Sequence, residues 1–202
     1  YTMQATLAIE DKDFYTHQGV SVVGGIGRAA KDSIRTGNLQ GGSTITQQLV
    51  KSALLTPERT IRRKAREIVL ALWVERIFSK NEILELYLNQ VPYGGSAYGI
   101  ESGAKVYYGK KARDLTLDEA AFLAGLPQAP SLYSPYANPE LALNRRNQVL
   151  RNMLSLKFIT KDQHDRALAK KITVIPPGTK IKAPHFVFFV KQELEKLYGT
   201  RQ

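Results

Sequence analysis

The sequence predicts an all-α fold, and three observations support this. Apolar residues recur at helical spacing along most of the chain. Helix-start signals, in which Ser or Thr stands three residues before Glu or Gln, occur repeatedly. The alternation of apolar and polar residues that is typical of strands is almost absent, apart from a short stretch at 172–175. With 202 residues, 43% of them hydrophobic, the chain can bury a substantial core as a single domain that spans 1–202.

The predicted helices follow one another with short loops between them. A first helix runs from about Thr2 and ends at Glu10. Further helices are expected at 21–35, 43–54, 57–78, 80–90, 97–107, 117–126, 138–156, 161–169 and 184–198. Capping boxes open three of them, at Ser79 with Glu82, Thr116 with Glu119 and Thr160 with Gln163. Pro139 stands at the first position of the helix that follows Asn138.

The longest predicted helix begins at Thr56 and Pro57, an N-cap followed by a proline, and runs to about Phe78. Its segment 68–74, which includes Trp73, is apolar on every side of the helix. A helix that is apolar all round is usually buried. This segment is therefore expected in the centre of the core, and Glu67, which directly precedes it, is expected to be partly buried.

The composition limits the kinds of function that the chain can have. There are 29 Lys and Arg against 18 Asp and Glu, a net charge of +11, which favours an anionic partner such as nucleic acid, anionic lipid or a phosphorylated substrate. The absence of cysteine excludes disulfides, thiol nucleophiles and cysteine-ligated metals. The longest apolar runs have seven residues, whereas a membrane span needs about 20. Because Tyr1 opens no leader-like pattern, the chain is expected to be an excised or processed domain.

Glu10 and Asp11 are the first candidates for chemistry. Two adjacent carboxylates at a helix C-terminus disfavour each other's ionisation, so one of them is a candidate general acid or base with a raised pKa. His17 follows in the same short loop. Taken alone, the pair also fits an ordinary solvated turn with a structural histidine.

A second candidate is the glycine-rich approach to the helix that begins near Ser43. Ser43 is expected to cap this helix. Thr44, either Gln47 or Gln48, and Lys51 can share one of its faces. Such a face is suited to a polar, anionic ligand. An ordinary capped helix with a solvated polar side fits equally well, and the spacing of a phosphate-binding P-loop is missing.

The third candidate is the basic run that leads into the long helix. Arg63 and Lys64 lie one turn before Glu67, so two cations and a carboxylate share a face. A surface ion pair that contributes about 0.3 to 0.5 kcal/mol is the alternative reading.

A fourth segment, 87–110, is rich in Tyr, Gly and amide side chains, with Asn89 among them, and it would suit a sugar or ordinary helix ends. No cluster of His, Asp and Glu has metal-ligand spacing, and His164 and His185 are expected to be structural or on the surface.

Taken together, these segments resemble the peptidoglycan glycosyltransferase domain (glycosyltransferase family 51) of class A penicillin-binding proteins and monofunctional transglycosylases, over nearly the whole chain. The motif E-D-x-x-F-x-x-H-x-G is filled by Glu10, Asp11, Phe14, His17 and Gly19. The motif G-x-S-T-I-x-x-Q-x-x-K is filled by Gly41, Ser43, Thr44, Ile45, Gln48 and Lys51. The motif R-K-x-x-E-x-x-x-A-x-x-x-E is filled by Arg63, Lys64, Glu67, Ala71 and Glu75. A fourth motif resembles Tyr87, Leu88 and Asn89 with the glycines that follow.

The resemblance implies a lysozyme-like fold with two lobes around an extended cleft, in which a smaller lobe near 20–45 faces a membrane. It also implies polymerisation of lipid II. The C4 hydroxyl of GlcNAc attacks C1 of MurNAc with inversion, forms a β-1,4 link and expels undecaprenyl diphosphate. In this chemistry Glu10 would be the general base, and Asp11 would position it.

The resemblance assigns the remaining site residues to substrate. Lys51, Arg63 and Lys64 would hold the diphosphate, and Glu67 would fill the family's second acidic role by orienting those cations. Binding roles are also implied for Ser43, Thr44, Gln48 and Asn89.

The resemblance implies no required cofactor, with a divalent cation (Mg²⁺ or Mn²⁺) as an optional aid to the diphosphate. Its expected partners are lipid II and the growing lipid-linked glycan, an anionic membrane surface, moenomycin-type inhibitors and a C-terminal transpeptidase domain, but not nucleic acid. The expected location is the bacterial cell envelope, at the outer face of the cytoplasmic membrane.

Two alternatives compete with this interpretation. A lysozyme-like hydrolase or lytic transglycosylase would also use a glutamate in a helical cleft, but it would not need cations for a diphosphate. A basic helical module that binds nucleic acid or membrane would account for the charge but not for the ordered motifs.

Overall fold

This computed structural model describes residues 1–21, 43–56, 58, 60–176, 189, 190, 192–194 and 196. The predicted helix at 21–35 lies outside the described residues except for its first position, and so does nearly all of the expected smaller lobe. Of the predicted helix at 184–198, only residues 189, 190, 192–194 and 196 are described, and they are helical.

Helices dominate the described part of the chain, which confirms the all-α prediction. They span Thr2–Glu10 (α1), Ile45–Leu54 (α2), Ile61–Ile77 (α3), Lys80–Gln90 (α4), Ile100–Tyr108 (α5), Leu117–Gly125 (α6), Pro139–Ser155 (α7) and Lys161–Ala169 (α8). A 3₁₀ turn covers Ala112–Asp114. Two short strands, Pro92–Gly94 (β1) and Ala97–Tyr98 (β2), form an antiparallel hairpin that the sequence analysis did not predict.

The predicted capping boxes are present. Ser79 and Glu82 exchange hydrogen bonds at the start of α4, and Thr160 and Gln163 do so at the start of α8. At the start of α6, the Glu119 carboxylate accepts a hydrogen bond from the backbone N–H of Thr116 at 2.9 Å. Because each box satisfies backbone groups that a helix end leaves without partners, these helices begin where local sequence places them.

Three predicted helix starts are wrong. The helix expected at 97–107 begins at Ile100, because Ala97 and Tyr98 form β2 instead. The other two errors lie at N-caps. Thr44, not Ser43, caps α2: its hydroxyl accepts from the N–H of Gln47, and the Gln47 side chain accepts from the N–H of Thr44. Likewise α3 begins four residues later than predicted, because Thr60, rather than Thr56, accepts the capping bond from Arg63. In both cases a second hydroxyl residue stood close by, and the one that makes the capping bond sets the boundary.

Two groups of buried side chains meet at α6. One group includes Phe122 and Leu123 of α6 and continues through α4, the hairpin and α5. The other includes Ala121 and Ala124 of α6 and continues through α1, α7 and α8. The small alanines let α1 and α7 approach α6 closely, so the end of α1 is fixed by packing on the core.

The expectation that 68–74 lies in the centre of the core is wrong. Glu67 and Ala71 are the fully buried residues of α3, whereas Val69 and Trp73 are more than half exposed. The reason is that, among the described elements, α3 packs on α2 and α4 through the face that carries Glu67 and Ala71. The uninterrupted run of apolar residues therefore led to a wrong prediction of which side chains of α3 are buried.

Within the described ranges, none of the helices is both long enough and apolar enough to cross a membrane.

Gly99 provides a test of the link between α4 and the hairpin. Its φ is +78°, and an added Cβ would lie 2.7 Å from the carbonyl oxygen of Asn89. Gly99→Ala should therefore lower the free energy of unfolding by about 2 to 4 kcal/mol, from backbone strain and overlap together. Urea denaturation measures the loss. Gly95, with φ +56° and open space around its Cα, is the matched control, and its alanine variant should lose only about 1 kcal/mol. An equal loss of unfolding free energy in the two variants would show that the overlap with the Asn89 carbonyl does not matter.

Candidate active site

Glu10 lies at the last position of α1, and its side chain is only 8% exposed. Gln48 of α2 donates a hydrogen bond from Nε2 to Glu10 Oε2 at 2.9 Å. Arg145 of α7 places Nη2 3.7 Å from Glu10 Oε1, which makes no hydrogen bond within the described residues. Three separate helices therefore meet at one buried carboxylate, and one of its oxygens remains able to accept a proton.

The surroundings of Glu10 raise the pKa of its carboxyl above the ordinary value of 4.5. Burial is the main cause, because it disfavours the charged form. The hydrogen bond from Gln48 and the charge of Arg145 act in the opposite direction, whereas the charge of Asp11 adds to the increase. A carboxylate of raised pKa takes up a proton more readily than an ordinary glutamate, as a general base must.

Arg145 is a site residue that the sequence analysis did not identify. Its position depends on Gly125, since a Cβ there would lie 2.8 Å from Arg145 Cγ. Arg145 Nε donates to the carbonyl of Gly125 at 3.2 Å, and the guanidinium lies over the ring of Tyr133, 5.3 Å from its centroid. Arg145 and Glu10 are far apart in the sequence and share no motif. The packing of α7 against α1 brings them together.

Asp11 is buried and fully engaged, in contrast to its neighbour Glu10. Its two oxygens lie 3.0 and 2.9 Å from His17 Nε2, and Oδ2 also accepts from the backbone N–H of Ile45 at 3.0 Å. The N–H of Gly19 donates to His17 Nδ1, which leaves the ring proton on Nε2 to be donated to Asp11. Asp11 thus connects the 11–19 loop to the first turn of α2, where the helix dipole favours a negative charge.

Other motif residues hold the same loop in place. Thr44 Oγ1 donates to the carbonyl of Gly19 at 2.5 Å. Glu75 of α3 accepts from Thr46 Oγ1 at 2.5 Å and from Lys80 Nζ at 2.8 Å. The Lys80 ammonium also lies 4.5 Å from the ring centroid of Phe14, within the range of a cation–π interaction. These contacts explain why Phe14 and Glu75, which have no candidate chemical role, belong to the motifs.

Glu67 organises a second, cationic group on α3. Its side chain is 2% exposed, and Arg63 Nη1 donates to Oε2 at 3.0 Å while Lys64 Nζ donates to Oε1. Lys64 also donates to Ser43 Oγ at 3.2 Å. The expected burial of Glu67 is confirmed, and its role in orienting the cations towards substrate stays a prediction.

Ser43 connects the two groups. Its hydroxyl accepts from Lys64, and its backbone carbonyl accepts from Gln48 Nε2 at 3.4 Å. Because Gln48 also contacts Glu10, a continuous line of hydrogen bonds joins the Glu10 carboxylate to the cations of α3. Ser43 contributes as a link in this line rather than as the predicted helix cap.

Lys51 and Asn89 remain apart from both groups. Both are exposed, and within the described ranges neither side chain makes a hydrogen bond or an ion pair. Their roles in substrate binding stay predictions.

The donor set of the described residues does not fit a resident metal ion. Three or more His, Asp or Glu side chains gather nowhere in the described part. Both oxygens of Glu67 are already bound by cations. The optional divalent cation stays a prediction.

Comparison with known proteins places this geometry in a family. A family model described as Transglycosylase matches residues 1–154. Penicillin-binding protein 1A of Aquifex aeolicus (strain VF5) is 46% identical over 200 residues, which are 98% of this chain and 27% of that protein. Penicillin-binding protein 1A of Escherichia coli (strain K12) is 44% identical over 200 residues, 98% of this chain and 23% of that protein.

A crystal structure of penicillin-binding protein 1A from Haemophilus influenzae superposes with a TM-score of 0.52 at 31% identity, covering 78% of this chain and 20% of that one. The chain spans about a quarter of the length of the curated relatives that it matches.

The chain belongs to the transglycosylase family. The resemblance drawn from the motifs, to the glycosyltransferase domains of class A penicillin-binding proteins, is thereby confirmed.

The buried group around Glu67 supplies a prediction about stability. Glu67→Gln removes the negative charge and leaves Arg63 and Lys64 facing a neutral amide in a buried position. The free energy of unfolding should fall by about 1 to 3 kcal/mol in urea denaturation, because the partners of a buried ion lose their counter-charge. Glu85→Gln, an exposed glutamate on α4, is the control and should change it by less than about 0.5 kcal/mol. Equal stability of Glu67→Gln and the wild type would show that Glu67 does not hold the two cations.

Proposed function

We propose that the chain is a peptidoglycan glycosyltransferase that polymerises lipid II into β-1,4-linked glycan strands. The observation that carries the proposal is Glu10: a buried carboxylate with one oxygen free of hydrogen bonds, joined through Gln48 and Ser43 to the cations of α3. A base and a cationic group side by side are what attack by a sugar hydroxyl and departure of a diphosphate require.

In the proposed reaction, Glu10 takes the proton of the C4 hydroxyl of the acceptor GlcNAc. The C4 oxygen forms a bond to C1 of the donor MurNAc as the bond from C1 to the diphosphate oxygen breaks. Undecaprenyl diphosphate leaves, and the configuration at C1 changes from α to β. The carboxyl of Glu10 then carries the proton, which its raised pKa favours.

The leaving diphosphate is proposed to be held by Lys51, Arg63 and Lys64. A diphosphate departs without full protonation, so fixed positive charge is needed where its negative charge develops. The contacts of Glu67 support a role in orienting Arg63 and Lys64 rather than in donating a proton. Thr44 and Asn89 complete the proposed binding residues, and Asp11 holds the loop beside Glu10.

The setting of the reaction is also a proposal. We expect it in the bacterial cell envelope, at the outer face of the cytoplasmic membrane, because lipid II and the growing glycan are lipid-linked. The net charge of +11 supports contact with an anionic membrane surface, where each cation contributes about 1 kcal/mol. A transpeptidase domain of the same protein is a proposed partner, which the names and greater length of the relatives support. Moenomycin-type inhibitors are proposed to bind beside the cations.

The role of Glu10 can be tested with purified lipid II in detergent. Glu10→Gln should lower the polymerisation rate by about 10² to 10⁴ fold, since it removes the base and keeps the shape. The control is Glu140→Gln, an exposed residue on α7, which should keep a rate within twofold of the wild type. Retention of activity in Glu10→Gln would refute the assignment of the base. If the wild type leaves lipid II unchanged but cleaves finished peptidoglycan, the chain is instead a lysozyme-like hydrolase.

A further inference from the structure

Tyr87 of α4 is a buried residue with a polar contact that the proposed mechanism does not yet use. It is 2% exposed, and its hydroxyl donates a hydrogen bond to Gln48 Oε1 at 3.2 Å. Gln48 is the residue that donates to Glu10. Tyr87 is therefore connected to the proposed base, Glu10, through Gln48.

The amide of Gln48 has all its hydrogen-bonding groups engaged. One N–H points to Glu10 Oε2, and the same nitrogen lies 3.4 Å from the carbonyl of Ser43. The carbonyl oxygen Oε1 is left to accept from Tyr87. An ionised carboxylate can only accept hydrogen bonds, so the Gln48 amide supports it in one of its two orientations, with the nitrogen towards Glu10.

We propose that Tyr87 is a positioning residue for the general base: its hydroxyl fixes the Gln48 amide so that Nε2 faces Glu10. The inference rests on the proposed function, in which ionised Glu10 is the base. Burial raises the pKa of the Tyr87 hydroxyl well above its ordinary value, so Tyr87 stays protonated and remains a donor wherever the enzyme would work.

Loss of the Tyr87 hydroxyl should raise the pKa of the Glu10 carboxyl. Without a donor at Oε1, the Gln48 amide can turn, and its carbonyl oxygen then faces the carboxylate. A carbonyl dipole beside a carboxylate disfavours the ionised form, so Glu10 would bind its proton at higher pH.

The other groups that face Glu10 do not produce the same effect. They are Arg145 of α7, Asp11 next to Glu10, and Tyr93 of β1, whose charged form would interact with Glu10. Arg145 is held by the Gly125 carbonyl and the Tyr133 ring, and burial raises the pKa of Tyr93, which keeps its hydroxyl neutral. Asp11 is held by His17 and Ile45, which Tyr87→Phe leaves untouched.

The test compares pH profiles of lipid II polymerisation for the wild type and Tyr87→Phe. The acidic limb of the profile, where the rate falls as Glu10 becomes protonated, should lie about 0.5 to 1 pH unit higher in the variant than in the wild type. The kcat at neutral pH should fall by about 3 to 10 fold, with KM within about twofold, because Tyr87 acts on the base and not on substrate binding. A purely structural tyrosine would lower the amount of folded enzyme without moving the limb.

Tyr107→Phe is the matched control. Tyr107 is also buried, and its hydroxyl donates to the backbone carbonyl of Tyr93 at 2.9 Å, so it loses a comparable hydrogen bond. Its acidic limb should coincide with that of the wild type. A second comparison places Tyr87→Phe in a Gln48→Met background, where it should change the residual rate by less than about twofold, because no amide remains to be oriented.

The outcomes separate the two proposals. A wild type that does not polymerise lipid II overturns the proposed function. A wild type that polymerises lipid II, with an unmoved acidic limb in Tyr87→Phe, overturns the role of Tyr87 alone. An equal loss of rate from Tyr87→Phe with and without Gln48 also overturns it, because Tyr87 would then act through packing.

Discussion

The desolvation of the Glu10 carboxylate is the constraint on which the rest of the site depends. Removing an ion from water costs several kcal/mol unless partners replace the water. The C-terminal position on α1 adds to this cost, because the negative end of a helix dipole disfavours a carboxylate. Gln48 and Arg145 reduce it, and they come from helices far apart in the sequence. The packing of α7 on α1, together with the reach of the Gln48 side chain from α2, is therefore what permits an ionisable group in this position.

Glu10 and Asp11 are adjacent in sequence but have different environments. Asp11 receives hydrogen bonds from His17 and from the backbone of Ile45, and both of its oxygens are engaged. Glu10 keeps one oxygen without a hydrogen bond in the described structure, and its pKa is raised. The surroundings thus give the two carboxylates different properties, which the proposed roles of Asp11 as positioning residue and Glu10 as base require.

Local features of the structure could be predicted from the sequence, and features set by tertiary packing could not. The capping boxes at Ser79, Thr116 and Thr160 depend on four consecutive residues, so their spacing was sufficient to place three helices. Trp73 shows the opposite case: its apolar neighbourhood predicted burial, but the described helices pack on the other face of α3, which carries Glu67 and Ala71.

The same division applies to the site. The motifs predicted Glu10, Gln48 and Glu67, and the structure brings them into one line of hydrogen bonds. Arg145 reaches Glu10 only because Gly125 lets α7 approach, and no short-range pattern encodes that contact.

The pKa of the Glu10 carboxyl is the measurement that tests this account most directly. It can be read from a ¹³C NMR titration of the glutamate side-chain carboxyls, with the Glu10 signal assigned by its loss in Glu10→Gln. The pKa should lie above the ordinary glutamate value of 4.5, because the effect of burial outweighs the opposing effects of Gln48 and Arg145. A pKa at or below 4.5 would mean that Glu10 is too well solvated or too strongly paired to serve as the base, and the central claim would be wrong.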